Sequence, residues 1–111
     1  MAIRYGDYVF DAPAPVAPWS APHVAGVYAI LVADQTCQPM PFRVIYFGES
    51  RNMSARGFFR GHPRYPCWIR EAGSEQSLYI AVYPMSESTP EQRRAVADRL
   101  ISEIAPVCNQ P

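Results

Sequence analysis

Residues 42–50 read FRVIYFGES. Five of the first six side chains are apolar or aromatic, with Arg43 near the entry, and Gly48 closes the run. That texture predicts a strand. Upstream, AGVYAILVAD at 25–34 is apolar and β-branched enough for a second, buried strand, and DQTCQPMP at 34–41 reads as a loop because Pro39 and Pro41 prevent regular pairing. Two strands joined by such a loop most simply form an antiparallel hairpin.

Downstream of Gly48 the chain changes character. Ser50 or Asn52 can cap a helix starting near 52, which Gly57 and Gly61 keep short. HPRYPCWIREAG at 62–73 places a second short helix around Ile69–Glu71, and SLYIAVYPM at 77–85 is a third strand. The last helix carries the clearest local signals. Thr89 is its N-cap, Pro90 suits the first helical position, and Gln92 completes a capping box. It runs from about Pro90 to Ile104, stops before Pro106, and lines up Val96, Ala97, Leu100, Ile101 and Ile104 as one apolar stripe. The expected fold is α+β: a small three-stranded antiparallel sheet flanked by helices, in the order β-β-α-α-β-α.

The 111 residues make one domain at 24–111, preceded by a proline-rich N-terminal arm at 1–23. Residues 11–23, DAPAPVAPWSAPH, cannot sit inside a helix or a central strand, so they are expected as an extended arm or edge covering. The preceding RYGDYVF reads either as a short strand or as a loosely held surface segment. An apolar fraction of 49% with 18% charged residues is that of an ordinary globular protein, and no apolar run is long enough to cross a bilayer. The start, MAIRYGDYVF, has neither a basic nor an apolar leader region. Cys37, Cys67 and Cys108 are odd in number and far apart, with no C-x-x-C pair, so the expectation is reduced thiols, no zinc site and a cytoplasmic location.

Net charge is zero, yet Arg51, Arg56, Arg60, Arg64 and Arg70 fall in a stretch without a single acid, and the chain has no lysine at all. Guanidinium forks grip phosphate in a bidentate way that ammonium does not. Zero net charge argues against avid non-specific coating of DNA but leaves a local basic face. Phe58, Phe59, Tyr65 and Trp68 are interleaved with these arginines. Such a mixture stacks bases or grips a protein, although Phe59 or Trp68 can equally fill the core.

The ordered set Gly26-Val27-Tyr28, Tyr46-Phe47-Gly48, Arg56 eight residues beyond Gly48, Leu100-Ile101, Pro106 and Asn109 resembles the GIY-YIG nuclease domain, a module of metal-dependent DNA endonucleases, over about residues 24–109. Val27 and Phe47 stand where that family usually has isoleucine; both are apolar and suit a core position. The resemblance implies that Tyr28 is the general base or water-orienting hydroxyl, that Tyr46 lines the same cleft, and that Arg56 neutralises charge developing on phosphate. His62, six residues past Arg56, would hold or protonate the leaving group. Arg51, Arg60 and Arg64 would bind nucleic acid. For each, the plain alternative is a core tyrosine, a solvated arginine or a loop histidine.

The family's metal-binding glutamate lies three residues before the Leu of the Leu-Ile pair, and here that position is Ala97. A hard Mg²⁺ or Mn²⁺ ion needs oxygen ligands that alanine cannot supply. Asp98 and Glu91 point off the stripe; Glu49, next to the Tyr-Phe-Gly turn, is the candidate replacement ligand, with Glu71 another carboxylate expected near the cleft. Otherwise Glu49 offsets Arg51 or a helix N-terminus. Two functions follow: a metal-dependent endonuclease acting on DNA more than RNA, or a GIY-YIG-like fold without hydrolysis that binds nucleic acid or a protein. A domain this small needs a protein partner or a second copy of itself to select a target.

Overall fold

The structure, a computed structural model, describes residues 2–16, 24–37, 41–52 and 60–110. It is α+β. Its centre is a four-stranded antiparallel sheet in the order β3-β6-β4-β5, formed by β3 (Ala14–Pro15), β4 (Gly26–Ala33), β5 (Phe42–Ser50) and β6 (Leu78–Pro84). A separate two-stranded hairpin, β1 (Ile3–Tyr5) with β2 (Tyr8–Phe10), precedes it. Helix α1 (Tyr65–Ala72) lies on one face of the sheet and α2 (Pro90–Ile104) on the other; short 3₁₀ turns follow at Glu75–Ser77 and Val107–Asn109.

The three strands expected from the apolar runs are three of the four. The fourth comes from the proline-rich arm: Val16 N–H bonds Leu78 O and Asp11 N–H bonds Val82 O, so the arm covers the edge of β6. Proline is tolerated there because an edge strand can leave one side unpaired. The helix expected from about 52 falls largely on residues outside the described set, as do Arg56, Phe58 and Phe59. The helix around Ile69–Glu71 exists and is longer than expected, 65–72, ended by Gly73 in the left-handed conformation.

Each face of the sheet has its own core. Tyr28, Ile30, Val32, Leu78, Ile80 and Val82 pack with Trp68 of α1 and Cys108; Val27, Ala29, Leu31, Phe47 and Ala81 pack with Ala97 and Leu100 of α2 and with Phe10 of the hairpin. β4 and β6 therefore read as continuous apolar runs, buried on both sides. β5 departs from simple alternation. Its register against β4 shifts between the Ile30–Tyr46 and Leu31–Val44 pairs, leaving Ile45 as an extra residue. The bulge puts Ile45 and Tyr46 in succession on the α1 face while Val44 and Phe47 remain on the α2 face.

β5 is the outer strand, and its edge is closed by a side chain. Asn109 accepts a hydrogen bond from Phe47 N–H at 2.8 Å and donates to Phe47 O at 3.0 Å, a strand-like pairing made by one amide. This gives the Pro106–Asn109 spacing a structural meaning: the chain turns after α2 to bring Asn109 beside Phe47.

Two expectations are corrected. Cys67 and Cys108 form a disulfide, with Cα atoms 5.8 Å apart, and only Cys37 is free. Spacing along the chain gave no hint because the pair is made by tertiary topology: α1 and the turn at 107–109 meet on the same side of β5. On α2 the capping box is as expected, with Thr89 Oγ1 accepting from Gln92 N–H and Gln92 Oε1 accepting from Thr89 N–H. Its buried stripe, however, includes Arg93, whereas Ile104 is exposed. No helix among the described residues is long and apolar enough to cross a membrane.

Candidate phosphate-binding site

Tyr28 and Tyr46 reach the same face by different means. Tyr28 sits on β4 opposite Gly48 of β5, and its ring occupies the space that a side chain there would fill. A Cβ on Gly48 would lie 2.5 Å from Tyr28 Cζ and 2.8 Å from Tyr46 Cε2. Gly48→Ala is therefore expected to cost about 1–3 kcal/mol through displaced tyrosine rings. A lowered urea midpoint with unchanged slope would check it.

Tyr46 arrives through the bulge at Ile45. Its ring is 6.1 Å from that of Tyr28, 5.3 Å from Trp68 and 5.0 Å from His62. Trp68 is completely buried and stacks on His62 at 4.7 Å, so α1 forms the floor on which the histidine rests. His62 thus lies in the turn before α1, packed between Tyr46 and Trp68.

The hydrogen bonds fix the tautomer of that histidine. Nδ1 of His62 accepts from Arg64 N–H at 3.0 Å, so in the neutral ring the proton is on Nε2. Nε2 lies 3.2 Å from Tyr46 Oη and donates to it. Burial and the nearby Arg64 cation hold the imidazole below its ordinary pKa. A folded value below the unfolded one means that the unfolded chain takes up the proton first. The contribution of His62 to stability is then present above about pH 6.5 and lost as pH falls through the folded value. Urea unfolding between about pH 7.5 and about pH 5 should show this loss, and His62→Gln should flatten it.

The two phenols differ. Tyr28 is only 2% exposed, and burial, reinforced by Tyr46 and Glu49, drives its pKa far above the ordinary phenol value. Such a hydroxyl stays protonated near neutral pH and donates hydrogen bonds. Tyr46 is half-buried; burial raises it, but Arg64 and the hydrogen bond from Tyr28 oppose the rise. Tyr46 oxygen, facing Tyr28, His62 Nε2–H and the Arg64 field, is the better placed of the two to meet a ligand.

The other sequence candidates separate cleanly. Arg60 is engaged by Glu75 in a two-point pair, both bonds 2.8 Å, with Tyr65 Oη also donating to Glu75. Arg51 lines a shallow depression of about 470 Å³ with Val24, Ala25, Asn52 and Ser86–Ser88. Glu49 faces α2: its Oε2 is 2.8 Å from Arg93 Nε. Arg93, 2% exposed, also donates to Ser88 O and Ser88 Oγ. Sequence reasoning missed Arg93: it falls on the same stripe as Ala97 and Leu100, four and seven residues on, but an arginine in the first turn reads as a solvated charge until Glu49 is brought against it.

Ala97 belongs to the core on the α2 side, whereas the tyrosines belong to the core on the α1 side. No group of three His, Cys, Asp or Glu residues among those described could hold a metal ion. Near the tyrosines, Glu71 pairs with Arg43 and Glu75 with Arg60. Glu49, the candidate ligand, is on the α2 side and engaged by Arg93, whereas the tyrosines are on the α1 side.

No family model, curated protein or solved structure matches this chain.

The site is therefore read from its chemistry alone: a phenol, a neutral imidazole N–H and a guanidinium, with the adjacent carboxylates already paired.

Proposed function

We propose that this chain is a GIY-YIG-like domain that binds the phosphodiester backbone of nucleic acid, DNA in preference to RNA, without metal-dependent hydrolysis. One observation carries the reading: Arg64, without an ion-pair partner among the described residues, lies beside the hydrogen-bonded Tyr46–His62 pair. His62 Nε2–H donates to Tyr46 Oη, so the Tyr46 hydroxyl can turn its own hydrogen outward beside the Arg64 guanidinium, and an anion such as a phosphate oxygen accepts from both. Arg51 extends the positive surface along the strand ends, and a partner or a second copy of the chain would supply target selection.

Labelled single-stranded and duplex DNA tests the proposal by fluorescence anisotropy across a salt series. Binding should weaken with salt, and Arg64→Ala should weaken it further while reducing the log–log salt slope by about one. Arg60→Ala, which removes an arginine already paired, should change affinity much less. Absence of salt-dependent binding to either DNA overturns the reading.

A second reading, hydrolysis of the same backbone, is favoured by the linked Tyr28–Tyr46–His62 hydroxyls and ring. Incubation of plasmid with Mg²⁺ or Mn²⁺ decides it. Cleavage that disappears in Tyr46→Phe would replace the binding proposal with an enzymatic one.

A further inference from the structure

We propose that the Cys67–Cys108 disulfide is a redox-sensitive clamp on this site, whose reduction loosens the Tyr46–His62 contact without unfolding the sheet. As regulation of anion binding it rests on the function proposed above; as a coupling between the disulfide and the Tyr46–His62 pair it does not.

The bond joins the two supports of the site. Cys67 is adjacent to Trp68, the residue on which His62 stacks and against which Tyr46 packs. Cys108 is adjacent to Asn109, whose amide pairs with both backbone groups of Phe47, the residue after Tyr46. One covalent link thus holds the floor under His62 and the brace beside β5 in fixed relation. α1 has only eight residues, too short to be helical on its own, and Trp68 is its single buried residue. The turn at 107–109 is shorter still. Both depend on docking, and the disulfide makes each dock for the other. The sheet itself has independent support from α2 on its opposite face.

The bond is also placed to be exchanged. Cys108 is buried, whereas Cys67 is partly exposed on α1, with Arg70 Nη2 3.4 Å from its sulfur. A thiolate of a small dithiol reductant attacks Cys67 Sγ. The Cys67–Cys108 bond breaks, and Cys108 leaves with the electron pair and takes up a proton. The second thiolate of the reductant then attacks its own sulfur in the mixed disulfide and releases Cys67 as a thiolate, which the Arg70 cation favours. The protein gains two electrons and two thiols, and the dithiol becomes a disulfide.

The test follows His62 directly. Its ring protons are titrated by NMR in the oxidised protein, in the protein reduced with dithiothreitol, and in Cys67→Ser/Cys108→Ser, with far-UV circular dichroism recorded on each. Trp68 fluorescence, isolated by Trp19→Phe, gives a second local signal. Reduction should raise the His62 midpoint toward the ordinary value and change Trp68 emission while the far-UV spectrum is kept. The double variant should match the reduced protein and ignore dithiothreitol.

Identical His62 titrations and Trp68 emission in the two redox states overturn the clamp, as does loss of the far-UV spectrum on reduction. DNA affinity, measured in parallel, should fall on reduction. A shifted His62 with no DNA binding in either state leaves the clamp standing and removes the proposed ligand.

Discussion

Ala97→Glu is expected to unfold this protein or bring it close to unfolding. The substitution restores, by position, the carboxylate that a GIY-YIG resemblance calls for, so it looks like a gain-of-function change. In the structure Ala97 is 4% exposed and lies between α2 and the sheet, among Val27, Ala29, Phe47 and Leu100. A glutamate there adds a methylene and a carboxyl group to a filled layer. The overpacking alone costs about 1–3 kcal/mol, and the unsatisfied polar group adds an amount on the order of 2 kcal/mol or more. Set against a total stability on the order of 5–15 kcal/mol, the sum removes much of the margin. Urea titration with Ala97→Ser as a mild control measures it. An Ala97→Glu protein with unchanged stability would show that the side chain reaches solvent, which the packing of α2 does not allow.

Arg93→Ala should be nearly as damaging. Arg93 is the most buried charge among the described residues, and it ties the first turn of α2 to Glu49 at the end of β5 and to Ser88 in the preceding loop. Breaking a buried pair from one side strands the other charge, at a cost of about 3–5 kcal/mol. Glu49 retains some exposure, so the carboxylate stranded by Arg93→Ala is partly solvated, whereas Glu49→Gln leaves the buried Arg93 guanidinium with only Ser88 and a neutral amide to meet it; both single changes should be costly. The informative variant is Arg93→Met with Glu49→Gln, which removes both charges and keeps the volume. If the penalty is mainly the stranded charge, the double substitution loses clearly less than the sum of the two single ones. Additive losses would mean that Arg93 acts through packing alone.

These two sites mark where sequence reasoning stops. The strands at 26–33 and 42–50 and the capping box at Thr89 were legible because their causes are local: apolar runs, a closing glycine, a cap residue and its partner three positions on. The common face of Tyr28 and Tyr46 was legible through an ordered pattern of residues, whereas the place of His62 against Tyr46 and Trp68 was not. The Cys67–Cys108 bond and the burial of Arg93 were not legible, because each depends on which surfaces the tertiary fold brings together; the proline-rich arm was legible as an edge covering, though not which strand it covers. Glu49 shows the difference most plainly. Chain proximity to the Tyr-Phe-Gly turn suggested a place in the cleft, but strand alternation sends its side chain to the opposite face, where Arg93 holds it.

The extra residue at Ile45 constrains how this chain can change length. β5 carries a change of parity: counted from Phe42, even and odd positions exchange layers at the bulge. Removing one residue between Phe42 and Tyr46 would restore uniform alternation, yet it would leave the tyrosine pair intact only if the loop end of the strand reversed its faces instead. Val44 and Phe42 would then exchange the α2 layer for the side where Arg43 now meets Glu71. A change of length between Asp34 and Pro41 leaves the parity of β5 untouched. Insertions and deletions are therefore expected to gather in that loop, while the nine-residue span of β5 keeps its count.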